Sequence, residues 1–288
     1  MVNRVPVMQG KWYPPQFSDL DKAIKIGFLE KKGAGAFPGL RKSQEIKGCI
    51  VPHHDYQTAA PAMSWAYKLI GESTLAKTYI IISGDEQKDM KYDFTTSLFN
   101  DWETPFGPVK VDKEKGQLFL KNCTLLQNQL DPFIQEKAIE VQLPFLQFVN
   151  MDHLHDIKFL PIKIKSKDYK TLVSFGQELA QLENVCVIVC CNFTQYGKTF
   201  NFVPFIFGKQ ENIYNLDAGI IQSIKDLDSA TFLQEQAKSN LSNPSGIMVF
   251  IEYAKKLGKT KSELHNYYTS GDLNNYKSDS VSYATMSI

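Results

Sequence analysis

No apolar run in this chain approaches the ~20 residues that a membrane-crossing helix requires; the longest, Val185 to Cys191 and Gly246 to Ile251, fall far short. An excess of one charge is missing as well. Lys and Arg number 32 against 31 Asp and Glu, a formal charge of +1, so there is no basic field of the kind that nucleic acid or an anionic membrane selects. Neither is an expected partner. Repeats, low-complexity tracts and long Pro/Gly/Ser-rich linkers are absent. The one glycine-rich stretch, Gly33-Ala-Gly-Ala-Phe-Pro-Gly39, follows the charged Glu30-Lys31-Lys32 and has the wrong spacing for a dinucleotide-binding turn, so it reads as a loop. Cysteines are few and odd in number: Cys49, Cys123, Cys186, Cys190 and Cys191 are scattered or sit inside apolar segments, which argues against a disulfide framework. The first ten residues carry one charge and no apolar core of the signal-peptide kind, so the expected address is the cytoplasm. The Asn-x-Ser/Thr sequons at Asn122, Asn192 and Asn240 then carry no weight.

What is present is an ordinary globular composition over 288 residues, 43% hydrophobic and 22% charged, enough to bury a substantial core in one domain spanning residues 1–288. Short runs rich in β-branched residues or Cys and bounded by polar or Pro/Gly positions predict buried strands at Gly48 to Val51, Tyr79 to Ser83 and Val185 to Cys191, with a fourth at Ile157 to Lys165. Asp93 to Phe99 and Pro108 to Val111 read as further strands around a turn at Pro105-Phe-Gly107. Helical spacing marks Thr58 to Ile70, Lys113 to Asn122, Pro132 to Val149, Asp168 to Leu182, Ile213 to Ile224, Asp228 to Ala237 and Ser245 to Leu257, the last closed by Gly258. Strands separated by helices long enough for crossovers predict an α/β fold: a central, partly parallel mixed sheet flanked by helices.

In open α/β sheets ligands gather beyond the carboxyl ends of the strands. There the sequence places Pro52-His53-His54-Asp55-Tyr56, Gly84-Asp85-Glu86-Gln87 and Asn192-Phe193-Thr194-Gln195-Tyr196-Gly197. Glu140 and Gln142 precede Leu143-Pro144-Phe145 and, two apart, cannot share a helix face unless Pro144 disturbs the turn. His53-His54-Asp55 is the one cluster of metal-capable side chains; it would need further ligands from Asp85, Glu86 or Glu140, and the competing reading is a histidine that hydrogen-bonds in a polar pocket. Cys190 and Cys191 lack an evident base and read as buried filler.

The order of segments, Gly10-Lys-Trp12-Tyr13, Pro52-His53 with Tyr56, Tyr79 to Gly84, Thr104-Pro-Phe-Gly107, Glu136 to Phe145, Cys191 to Gly197, Pro244-Ser-Gly246 and Asp279-Ser-Val-Ser-Tyr283-Ala284, resembles the Memo family, which includes AmmeMemoRadiSam system protein B. That family is similar in fold to the class III extradiol, non-haem iron dioxygenases. The resemblance implies a metal site at the strand ends with iron or copper redox chemistry, and one animal member is a signalling adaptor. Matched motif by motif, His53 holds a ligand position, with the family's Ala-Gly replaced by His54-Asp55. Gly-Pro-Ser-His-His becomes Gly84-Asp85-Glu86-Gln87-Lys88. Glu-His-Ser-Ile-Glu-x-His-Leu-Pro becomes Glu136-Lys137-Ala138-Ile139-Glu140-Val141-Gln142-Leu143-Pro144. Ser-Asp-Phe-x-His becomes Cys191-Asn192-Phe193-Thr194-Gln195, and Asn240 to Asn243 stand where a cysteine is expected. Of the implied set His53 and Glu140 remain.

Gln and Asn keep hydrogen bonding but are poor metal ligands, and Lys88 or Lys137 brings an ammonium that could pair with Asp85, Glu86 or Glu140 in place of an ion. The expectation is a Memo-like protein that has lost its metal-dependent redox centre. It would act as a pseudoenzyme or binding/adaptor protein through a remnant cleft of His53, His54, Asp55, Asp85, Glu86, Gln87, Lys137, Glu140, Gln142, Asn192 and Gln195. No cofactor is expected, and a protein or small molecule is the expected ligand. The alternative is a single Fe, Cu, Zn or Mn ion in a centre rebuilt around His53, Asp85, Glu86 and Glu140, serving an oxidoreductase or hydrolase.

Overall fold

Apolar strands that alternate with capped amphipathic helices can bury both faces of a sheet only by laying helices on each side, and the computed structural model has that form. It describes residues 3–86, 88–99, 101–276 and 279–288. The strands are β1 (Gly48–Val51), β2 (Thr78–Gly84), β3 (Phe94–Thr96), β4 (Lys110–Val111), β5 (Leu126–Asn128), β6 (Lys158–Ile164), β7 (Val185–Cys190), β8 (Gln195–Tyr196), β9 (Glu263–Thr269) and β10 (Ser280–Ser287). The helices are α1 (Phe17–Leu29), α2 (Tyr56–Glu72), α3 (Lys113–Asn122), α4 (Asp131–Ile134), α5 (Leu143–Val149), α6 (Tyr169–Leu179), α7 (Lys209–Lys225), α8 (Ser229–Gln236), α9 (Pro244–Lys256) and α10 (Gly271–Asn274). One sheet runs β5-β3-β6-β2-β7-β1-β10-β8, with β4 also on β6 and β9 also on β10. β6, β2, β7 and β1 are mutually parallel, while β3 and β10 run antiparallel at the two sides, so the sheet is mixed.

Helix starts follow the side-chain chemistry: Asp55 accepts from the Thr58 amide, Asp112 from Lys115, Asp168 from Thr171 and Asn243 from Gly246, each satisfying an amide that the first turn leaves unpaired. α1, α2 and α5 pack on one face through Ile24, Phe28, Met63, Tyr67 and Phe145. α3, α6 and α9 cover the other through Phe119, Phe175 and Phe250. Between α6 and α9 the approach needs a glycine, since a Cβ on Gly176 would stand 2.9 Å from the Val249 carbonyl oxygen. Among the described residues no helix is long and apolar enough to cross a membrane.

The helix expected over Pro132 to Val149 is instead broken into α4, a 3-10 turn at Glu140–Gln142, and α5. Proline in a helix interior lacks a donor and clashes with the carbonyl four residues back, so Pro144 sits in the first turn of α5. The Glu136 carboxylate, accepting from the amides of Ala138 (2.8 Å) and Ile139 (3.2 Å), caps the start of the turn that follows. Asp93 to Phe99 and Pro108 to Val111 shrink to β3 and β4, which both pair with β6 and not with each other. The turn between them is present, with Trp102 and Val109 paired across it and Gly107 at φ +101°.

Candidate functional site

The strand register builds the floor. Val51 of β1 lies opposite Cys190 of β7, and Lys163 of β6 lies opposite both Ser83 of β2 and Thr95 of β3. Paired residues point to the same face, so a thiol, two hydroxyls and an ammonium line up beneath the carboxyl ends of the parallel strands. His53 lies just past β1 and Glu86 just past β2.

His53 is 2% exposed. Its amide donates to Asn192 Oδ1 (3.0 Å) and its carbonyl accepts from Asn192 Nδ2 (2.8 Å), which ties the ends of β1 and β7 together. Its Nε2 is 2.8 Å from Glu86 Oε1. Burial raises the Glu86 carboxyl, but His53, Lys137 and Lys163 outweigh it and hold it below the usual range. An ionised carboxylate only accepts, so Nε2 carries the proton. Nδ1 is buried and without a partner, as are the hydroxyls of Ser83 and Thr95.

Lys163 is fully buried. Its Nζ lies 2.9 Å from the Pro132 carbonyl, 3.2 Å from Asp89 Oδ1 and 3.4 Å from Glu136 Oε2. Burial pushes the Glu136 carboxyl up, against the pull of Lys163. The ammonium in contact with Glu136 and Asp89 is that of Lys163; half-buried Lys137 acts with it on Glu86, as the expected pairing had it, and Lys88 is exposed. Sequence reasoning missed Lys163, Glu136 and Asp89. Lys163 stands alone among apolar residues in Phe159-Leu-Pro-Ile-Lys-Ile164, and a half-buried strand would turn such a residue to solvent. Here both faces of β6 are covered.

Glu140 does not join His53. Its carboxylate, wholly buried, accepts from Arg4 Nη1 (2.7 Å), the amides of Val7 (2.9 Å) and Met8 (2.8 Å) and Tyr13 OH (2.8 Å). It anchors the segment before α1. Asp85 also turns away, its Oδ1 accepting from the Asp89 amide at 3.1 Å. Of the four residues expected to make a rebuilt centre, the structure thus brings His53 and Glu86 together and sends Asp85 and Glu140 elsewhere. Gln142 reaches the floor from above, donating to Pro52 O (3.0 Å) and accepting from Tyr67 OH (2.9 Å). Gln195 is spent on Asn240: its Nε2 donates to the Asn240 carbonyl (3.2 Å), and its backbone amide and carbonyl pair with the Asn240 side chain. Gln87 lies outside the described residues.

His54 and Asp55 form a second pair beside the first. His54 Nδ1 is 2.6 Å from Asp55 Oδ2, and its ring stacks on Trp12 with centroids 5.2 Å apart. Burial raises the Asp55 carboxyl, and the bonds from His54 and Thr58 bring it below its ordinary value. Cys190 and Cys191 are fully buried, and burial pushes the Cys191 thiol up to about 12 and the Cys190 thiol well above its usual value, so neither is a thiolate nucleophile at neutral pH.

A transition-metal centre needs several imidazole, thiolate or carboxylate donors converging on one point. Among the described residues no three His, Cys, Asp or Glu side chains are grouped to hold an ion. The nearest assembly contains the Lys163 ammonium, and its imidazole is already bonded to Glu86. The residues present do not fit the metal that the resemblance implies. What they offer is hydrogen bonding: an unpartnered imidazole nitrogen, two hydroxyls and a carboxylate–ammonium network.

A family model described as Memo-like protein matches residues 4–287. A MEMO1 family protein of Methanococcus maripaludis is 27% identical over 295 residues, covering 100% of both chains. A MEMO1 family protein of Methanopyrus kandleri is 27% identical, covering 99% of this chain and 98% of its own. In fold, the chain is similar to the crystal structure of uncharacterized protein JW3007 from Escherichia coli K12, with a TM-score of 0.56 and 11% identity over 85% of this chain and 100% of that one.

Proposed function

The chain belongs to the Memo family, and from that premise we propose that it works without a resident metal, as a pseudoenzyme or binding/adaptor protein whose remnant cleft holds its ligand by hydrogen bonds. The carrying observation is the buried Lys163 ammonium, in contact with Glu136 and Asp89, beside a His53 imidazole already bonded to Glu86. A cation entering there would meet the positive charge of buried Lys163 and would have to displace the bond that buried His53 makes to Glu86, which is itself 37% exposed; both are costly where charge leaves water. The unpartnered Nδ1 of His53 and the hydroxyls of Ser83 and Thr95 are the groups a polar ligand, or bridging water, would satisfy. A cytoplasmic setting belongs to the same proposal and is supported by five buried, unpaired cysteines.

The test is an anaerobic calorimetric titration of the protein with Fe²⁺, Cu⁺, Zn²⁺ and Mn²⁺ beside His53→Ala. The expected result is no one-to-one binding tighter than about 10 µM, a free energy of roughly 7 kcal/mol. Tight stoichiometric binding that disappears in His53→Ala would overturn the proposal. It would favour the second reading, a metal-dependent oxidoreductase or hydrolase built on His53 and Glu86, for which the 2.8 Å contact between them speaks.

A further inference from the structure

Beyond the cleft, the geometry points to a second binding site: an apolar cavity beside Trp102 that takes a small, uncharged, apolar molecule. The cavity has a volume of about 410 Å³, within the range of small-molecule sites. Its walls are Pro6 and Val7 from the segment before α1, Trp102 from the turn after β3, and Leu130 and Phe133 at the start of α4. Backbone bonds join two of these walls. The Arg4 amide donates to the Asp101 carbonyl (2.7 Å) and the Glu103 amide to the Arg4 carbonyl (2.9 Å), so the opening segment lies along Trp102 as an added strand.

The lining decides the class of ligand. Among the described residues, Arg4 is the one charged group on the wall, and it is engaged. Its guanidinium lies 4.0 Å from the centre of the Trp102 ring, and its N–H groups go to the carbonyls of Phe133 and Glu136 and to the Glu140 carboxylate. A charged ligand would therefore lose water without gaining an ion pair. An apolar ligand would instead meet the half-buried Pro6, Val7 and Leu130, backed by the buried Phe133, with Asn3 and Ser97 as polar points on the lining. At the rim Val5 and Ile134 are 66% and 45% exposed, large apolar side chains that a bound ligand would shield. This inference stands apart from the metal-free reading of the cleft, since none of the groups named at the His53 floor lines the cavity.

The probe is the uncharged fluorophore N-phenyl-1-naphthylamine, titrated into the 288-residue chain. The expected result is saturable one-to-one binding with a dissociation constant on the order of 10–100 µM, as a ligand of this size in an apolar site gives. Val5→Asp and Ile134→Asp, both at exposed positions, should each weaken it at least tenfold. Val5→Ser and Ile134→Ser give the graded version should either aspartate lower the melting temperature. Phe207→Asp, at an 86% exposed side chain elsewhere on the surface, should leave binding unchanged. Trp102→Phe should reduce probe emission excited through tryptophan while sparing the directly excited titration. Absence of saturable binding, indifference to Val5→Asp and Ile134→Asp, or loss in Phe207→Asp would each overturn the site.

Discussion

Replacing Glu140 by alanine should cost the protein several kcal/mol of stability and leave ligand binding at His53 untouched. The carboxylate is fully buried and accepts from one guanidinium, two backbone amides and one phenol. Its removal leaves Arg4 with two carbonyl partners, Phe133 and Glu136, but without a counter-charge, and orphans the amides of Val7 and Met8 and the Tyr13 hydroxyl. Breaking a buried ion pair costs about 3–5 kcal/mol, and orphaned buried donors about 1–3 kcal/mol each, with heavy overlap between the terms. A loss of about 4–6 kcal/mol follows, or roughly 8–20 °C in melting temperature for a chain of this size. Glu140→Gln keeps an acceptor and loses the charge, so it should fall at about half that. Tyr13→Phe, which removes one charge-assisted bond, should cost about 1.5–3 kcal/mol. Urea unfolding followed by circular dichroism ranks the three, and limited proteolysis should cut faster within residues 3–16 of Glu140→Ala, because that segment loses its anchor. If Glu140→Ala unfolds within 1 kcal/mol of the wild type, or is as stable while ligand or metal binding is lost, then Glu140 serves the cleft and the anchoring argument fails.

Three further outcomes are expected. Burial pushes the Asp217 carboxyl above its ordinary value of 3.8, against its bonds to Ser282, Tyr267 and Thr194. A carboxyl with a raised folded-state pKa binds its proton more tightly when folded, so its contribution is most favourable in acid and is lost as pH climbs from 3.8 through the folded value. The melting temperature of the wild type minus that of Asp217→Asn should thus decline between pH 3.5 and 7, and a constant difference would refute the assignment. Gly176→Ala sets a helix-propensity gain of about 0.5–1 kcal/mol against a new methyl 2.9 Å from the Val249 oxygen and 3.0 Å from Glu252 Cβ. Overpacking of about 1–3 kcal/mol should win, and a stabilised variant in urea would mean that α6 and α9 yield freely. Asp55→Ala removes both the cap on the Thr58 amide and the partner of His54 and should cost about 1–2 kcal/mol; Asp55→Asn should recover most of it, whereas equal losses in thermal melts would show that the cap is not what matters.

The parts of the fold legible in the sequence are those whose chemistry is local. Tyr79 to Ser83 and Val185 to Cys191 read as strands because both faces are covered and every position can be apolar. Asp112, Asp168 and Asp228 announce helix starts through bonds to amides two or three residues on. β10 was not legible: Ser-Val-Ser-Tyr-Ala-Thr-Met-Ser looks like a turn-rich surface, yet the whole strand is buried, its small hydroxyls satisfied by distant groups such as the Ala62 carbonyl, 2.6 Å from Thr285 Oγ1. α1 lacks a side-chain cap and gave no start signal. At the rim, the positions of His53, Glu86 and Asn192 follow from the strand-end rule. The misreading of Glu140 comes from the broken helix. In the 3-10 turn it faces the opening segment while Gln142, two residues on, faces Pro52, and no spacing rule within one helix anticipates that split.

On the proposed metal-free reading, the loop ends around His53 need a source of order other than an ion. A metal centre concentrates positive charge at one point and binds donors from several loops, so loss of the ion leaves neighbouring carboxylates repelling one another in a medium that screens them poorly. Here the loop ends are held by bonds internal to the chain. Asn192 clasps the His53 backbone at both ends. Gln142 ties the 3-10 turn to Pro52 and Tyr67. Lys163 supplies a cation beside Glu136 and Asp89, and its Pro132 bond pins α4 to the sheet. On the proposed reading that cation, carried by the backbone of β6, supplies the charge that an ion would otherwise bring. Its attachment to the chain is then what distinguishes the site from a metal centre that happens to be empty. Removing a bound ion loosens its ligands, whereas on that reading a chelator should leave the bonds from Glu86 and Asn192 to His53 as they are.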